Sequence, residues 1–139
     1  MGLVRRKEGI ERIDTNVILR LILNDNPSQV KKVKKLFSNK NKLYIFEDAA
    51  MMEVVFVLSS QTYQFVREQI ARNIKNIMRI ENLVCNKGLI ETALDIYVKH
   101  PKLSFVDCYL AATADLSDER PLWTFDQKLA SQCPVARLV

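Results

Sequence analysis

Short runs of four or five residues that read as strands alternate with longer stretches of helical period, and this alternation constrains the chain more than any other feature. The strands are IERI (10–13), LYIF (43–46), NLVC (82–85), PLWTF (121–125) and VARLV (135–139). Between them lie an apolar run from Val17 to Leu23, SQVKKVKKLF with Val30, Val33, Leu36 and Phe37 at helical spacing, and AAMMEVVFVL, which is apolar nearly all round and so expected to be buried. Then follow TYQFVREQIARNIKNIMRI (62–80), with Phe65, Val66, Ile70, Ile74, Ile77 and Met78 facing inward, GLIETALDIYVKH, Ser104 to Leu116, and Asp126 to Ser131. Asn26-Pro27 is a helix start, Asn as the cap and Pro in the first turn. Strands alternating with helices predict an α/β fold with a mainly parallel sheet. In such sheets ligands bind at the carboxyl ends of strands.

Bulk properties narrow the function. The 139 residues suit one domain over 10–139, with residues 1–9 as a loose basic tail. No apolar stretch reaches the roughly 18 residues that span a bilayer, and no apolar signal core follows the basic start, so a cytoplasmic location is expected. Cys85, Cys108 and Cys133 lie far apart without a CxxC pair, which points to core residues and not to a zinc knuckle or disulfide framework. His100 is the one histidine, so His-rich zinc sites are excluded and a Ser-His-Asp or Cys-His triad is disfavoured. The chemistry falls to carboxylates. A net charge of +5 favours a polyanionic partner through steering and counterion release.

Four acids are out of place. Asp14 follows the first strand and precedes the apolar run, where it reads either as a helix N-cap or as a ligand. Glu53 is the one charge between Ala49 and Leu58 and is expected to be buried, which demands a cation or a proton. Arg20, alone in the first apolar helix, serves either substrate or an acid such as Glu53. Asp107 is the one charge in SFVDCYLAATA, and Ser104-x-x-Asp107 matches a capping box. Asp126 opens a helix straight after a strand. Capping explains three of these singly but not the pattern. In a parallel sheet the helix starts lie along one edge, where converging carboxylates repel by several kcal/mol unless cations neutralise them. Oxygen-only ligands suit Mg²⁺ or Mn²⁺, and two such ions assist phosphodiester hydrolysis.

IDTNVILRLIL, MEVVFVL, SFVDCYLAATA and LWTFDQKLA together resemble, in order and spacing, the motifs of PIN-domain nucleases, most nearly the VapC-type toxins of toxin–antitoxin pairs. The resemblance covers residues 10–139. It implies a five-stranded mainly parallel sheet flanked by helices in three α/β/α layers. It also implies a metal pocket of Asp14, Glu53, Asp107 and Asp126 holding one or two Mg²⁺ or Mn²⁺ ions, supported by Thr15, Asn16 and Thr124. The implied activity is endoribonuclease cleavage leaving 5′-phosphate and 3′-hydroxyl ends. The implied partners are RNA, a small cognate antitoxin and a second copy in a homodimer, with no membrane. Ser104 stands where many relatives carry an acid, which bears on a second metal position. Glu47-Asp48 and the tail lie outside the family pattern.

Lys31, Lys32, Lys34 and Lys35 on the second helix, and Arg67, Arg72, Lys75 and Arg79 on the long helix, are either phosphate contacts or solvated surface. Of these, Lys34, Arg72, Lys75 and Arg79, with Arg20, are the candidate RNA contacts. Two other readings compete. An aspartyl-phosphate enzyme needs a second acid near the first strand's end, and Asp14-Thr15-Asn16 lacks it. A PIN-fold RNA- or protein-binding domain without a toxin role, or an RNA-processing nuclease, is the other; retention of all four acids speaks against the non-catalytic form.

Overall fold

The computed structural model describes residues 9–139, so the expected tail lies outside the described residues except Gly9, which opens the first strand. The chain runs β1 (Gly9–Arg12), α1 (Thr15–Leu23), α2 (Pro27–Ser38), β2 (Lys42–Ile45), α3 (Asp48–Ser59), α4 (Arg67–Ile77), β3 (Leu83–Val84), α5 (Lys87–Lys99), α6 (Phe105–Leu116), β4 (Leu122–Thr124), α7 (Gln127–Gln132) and β5 (Ala136–Leu138). All strand pairings are parallel, as the alternation predicts. The five strands form two sheets instead of one, ordered β1-β2-β3 and β4-β5. The residues separate into two compact units: one up to Val54 with Asn73–Cys85, the other Val55–Arg72 with Asn86–Val139.

In the first unit β2 is the middle strand, with Arg12 opposite Ile45 and Ile45 opposite Val84. Tyr44 and Phe46 are buried beneath it, and the Tyr44 ring meets Phe37 edge-on at 5.3 Å. Asn82 is almost wholly buried, and its amide donates to the carbonyls of Phe37 and Asn39 at 3.2 and 3.1 Å. It thereby fixes the turn between α2 and β2 against the start of β3. The Asn26 side chain accepts from the Gln29 N–H at 3.1 Å and Pro27 fills the first turn of α2, as expected. Asn24 closes α1 in the left-handed region, φ 50°, its N–H donating to the Arg20 carbonyl.

The second unit is built on α5 against α6. The two helices pack on each other, with Ile90, Ala93 and Leu94 buried on α5 and Phe105, Cys108, Ala111 and Ala112 buried on α6. The small residues on α6 let the helices approach closely. Arg67 secures the far end of α5: its Nη1 donates to the carbonyls of Tyr97 and His100 at 2.8 and 3.3 Å, and its guanidinium lies 4.0 Å from the Tyr97 ring centre. Arg67 is therefore committed to the fold.

Two expectations fail here. The long helix begins at Arg67, not 62, because Gln64 adopts φ 52° and the Phe65 N–H donates to the Leu58 carbonyl, turning the chain first. Val66 is consequently exposed instead of facing inward. Helix α3 is not buried all round: Ala49, Glu53 and Phe56, spaced by four and three residues, form an exposed stripe, with Phe56 75% accessible.

Candidate active site

Asp14 stands two residues beyond β1 and caps α1, its Oδ1 accepting from the Asn16 N–H at 3.0 Å. Buried Ile13 and Thr15 on either side hold it in place while its own side chain stays exposed. Asn16 contributes through its backbone, and its side chain is exposed. The carboxyl ends of β1 and β2 lie side by side, since the Ile13 N–H donates to the Ile45 carbonyl at 3.1 Å. An ion pair between Arg12 and Glu47 joins these ends. Glu47 thus has a structural role that local motifs miss; the available signal is a pair of opposite charges at the ends of neighbouring strands. Asp48 begins α3.

Glu53 is exposed, which corrects the expectation of burial. The stripe it shares with Phe56 faces solvent, so the acid needs no buried counter-ion. Arg20 is accordingly not its neutralising partner but pairs with Asp25 at 3.2 Å, beyond the end of α1.

In the second unit, Asp107 and Ser104 form the capping box: the Asp107 N–H donates to Ser104 Oγ at 3.1 Å, and the Ser104 N–H to Asp107 Oδ2 at 3.4 Å. Asp107 is half-buried, and its charge adds to the effect of burial in raising the pKa of the Cys133 thiol. Asp126 caps α7, its Oδ1 accepting from the N–H groups of Lys128 and Leu129 at 2.8 and 3.3 Å. Thr124 Oγ1 accepts from the Asp126 N–H at 2.9 Å, so the residue is held from both sides.

Among the described residues none of the four acids is ion-paired. Asp14, Asp107 and Asp126 each commit one carboxylate oxygen to backbone N–H groups and keep a second for another ligand. Such donors fit a hard divalent ion in type. Among the described residues, no three His, Cys, Asp or Glu side chains form a group able to hold a metal.

Of the candidate RNA contacts, Lys34 and Arg79 line one cavity of about 780 Å³ in the first unit, with Phe37, Ile77 and Glu81. Neither is ion-paired among the described residues. Arg72 is exposed, and Lys75 is half-buried. Cys108 and Cys133 are buried as expected, and Cys85 is half-buried.

Parallel strands whose carboxyl ends lead into aspartate-capped helices define an α/β protein with acids placed where such folds bind ligands. The PIN domain family matches residues 13–133, and the chain belongs to that family. Comparison with curated proteins and with solved structures finds no match. PIN domains are, as a family, nucleases that typically use divalent metal ions. No helix among the described residues is long and apolar enough to cross a membrane.

Proposed function

We propose that the protein is a metal-dependent endoribonuclease and the toxin of a toxin–antitoxin pair, acting in the cytoplasm as a homodimer restrained by a small antitoxin. The observation that carries this reading is the PIN match over residues 13–133, which takes in Asp14, Glu53, Asp107 and Asp126. In this reading those four acids hold one or two Mg²⁺ or Mn²⁺ ions, which supply Lewis-acid stabilisation of phosphoryl charge and lower the pKa of water. The chain's own part is positioning. The Asn16 N–H fixes Asp14, the Ser104 N–H fixes Asp107, and Thr124 fixes the Asp126 backbone. Lys34 and Arg79 offer charge to RNA phosphates, whose affinity for cations is sequence-independent. Water attacks phosphorus in line, the P–O3′ bond breaks, and the leaving oxygen takes a proton to become the 3′-hydroxyl.

The test is to incubate RNA with the protein in Mg²⁺, in Mn²⁺ and in EDTA, beside Asp14→Asn. Cleavage is expected with either metal, absent in EDTA, and about 100-fold slower or worse in the variant. Undiminished cleavage by the variant overturns the assignment of Asp14. A folded protein that cuts no RNA is instead a binding domain. Induced expression is expected to arrest growth, with Asp14→Asn relieving the arrest; an active nuclease without that effect is an RNA-processing enzyme.

A further inference from the structure

Strand β4 and the bend that follows it leave two large rings in water. Leu122 and Thr124 are half-buried, whereas Trp123 is 60% and Phe125 82% accessible. Trp123 lies in β4 and Phe125 in the bend directly after it, so the two exposed rings stand two residues apart at the carboxyl end of the strand. Arg137 of β5 stands directly opposite Trp123 and is exposed, so a cation shares that face. Lys128, also exposed, lies in the first turn of α7 just beyond the rings. Neither cation is ion-paired among the described residues. Phe125 is the immediate neighbour of Asp126, whose position is locked by Thr124 and the start of α7.

Uncovered aromatic faces beside uncommitted cations match a nucleic-acid strand with splayed bases: the rings take bases, the cations take phosphates. Two cations without ion-pair partners among the described residues favour a polyanionic strand over a protein surface of mixed charge. The chain's net charge of +5 points the same way.

We propose that Trp123 and Phe125 are a stacking platform for unpaired RNA bases, which presents a single strand to Asp126 with Arg137 and Lys128 on its phosphates. The inference rests on the nuclease reading and specifies how that site takes its substrate. A platform of this kind accepts single strands and rejects duplexes, whose bases are already stacked.

Trp123 is the one tryptophan in the chain, so its emission reports on this face alone. The experiment titrates a single-stranded oligouridine of about ten nucleotides into the full chain in EDTA, where no cleavage occurs. Quenching of the emission is expected, with little from a duplex RNA of equal length. Phe125→Ala is expected to weaken binding about tenfold, and Phe125→Tyr to restore it. Absence of quenching, or equal affinity in Phe125→Ala, overturns the platform, as does emission that shifts with protein concentration alone, the sign of a second copy on this face. Metal-dependent cleavage without quenching leaves the nuclease reading standing and removes the platform. Quenching without cleavage does the reverse.

Discussion

Asp and Asn cap helices about equally well, and only Asp carries charge. At Asp14 that difference separates folding from chemistry. Asp14→Asn keeps an acceptor for the Asn16 N–H, so its urea-unfolding free energy is expected within about 0.5 kcal/mol of the parent. Asp14→Ala is expected to lose the cap and about 1 kcal/mol, and under the proposed nuclease function both variants are expected to lose cleavage. A second residue-scale test concerns Cys108, whose thiol is pushed up to about 12 from 9.0, chiefly by burial and then by neighbouring Cys133, with Arg67 opposing. The folded state thus favours the neutral thiol. That contribution is complete below pH 9.0 and is lost as pH rises towards about 12, because the unfolded thiol ionises first. The fall in unfolding midpoint above pH 9.0 is expected to be smaller in Cys108→Ala than in the parent. At about pH 8 a disulfide reagent is expected to modify half-buried Cys85 first, with buried Cys108 and Cys133 reacting on unfolding.

At the scale of elements, Arg67 bonds two carbonyls at the end of α5 and covers the Tyr97 ring. Arg67→Met is expected to lower stability by about 2–3 kcal/mol, and Arg67→Lys to recover little of it, since an ammonium cannot both reach two carbonyls and stack. Urea unfolding followed by far-ultraviolet circular dichroism measures both. Where an element's limits are set by its own neighbours, the sequence exposes them: Asp14, Asn26, Ser104 and Asp126 all mark helix starts as expected. Where distant contacts decide, it does not. The start of α4 depends on Phe65 reaching back to Leu58, which a periodic pattern through 62–66 conceals. Glu53 looks buried because every neighbour in α3 is apolar, and nothing local reveals that the helix leaves Phe56 in water. The candidate acids were legible as residues through their odd positions; Arg67 and Glu47 were not, because their partners lie at the ends of other elements.

For the whole molecule, the net charge of +5 sets the expected response to salt. Binding of single-stranded RNA in EDTA should weaken linearly on logarithmic axes as salt rises. Lys34→Ala and Arg79→Ala should each reduce that slope by about 0.7 if each neutralises one phosphate. A slope unchanged in both variants would assign them to solvated surface. The four acids also differ in what the fold asks of them. Asp14, Asp107 and Asp126 each hold a helix start, whereas Glu53 sits mid-helix on an open stripe and caps nothing. Its replacement should change stability by no more than about 0.5 kcal/mol. A descendant lineage that kept this fold but abandoned cleavage would therefore drift first at position 53, and would hold Asp or its amide at position 14 long after the chemistry had gone.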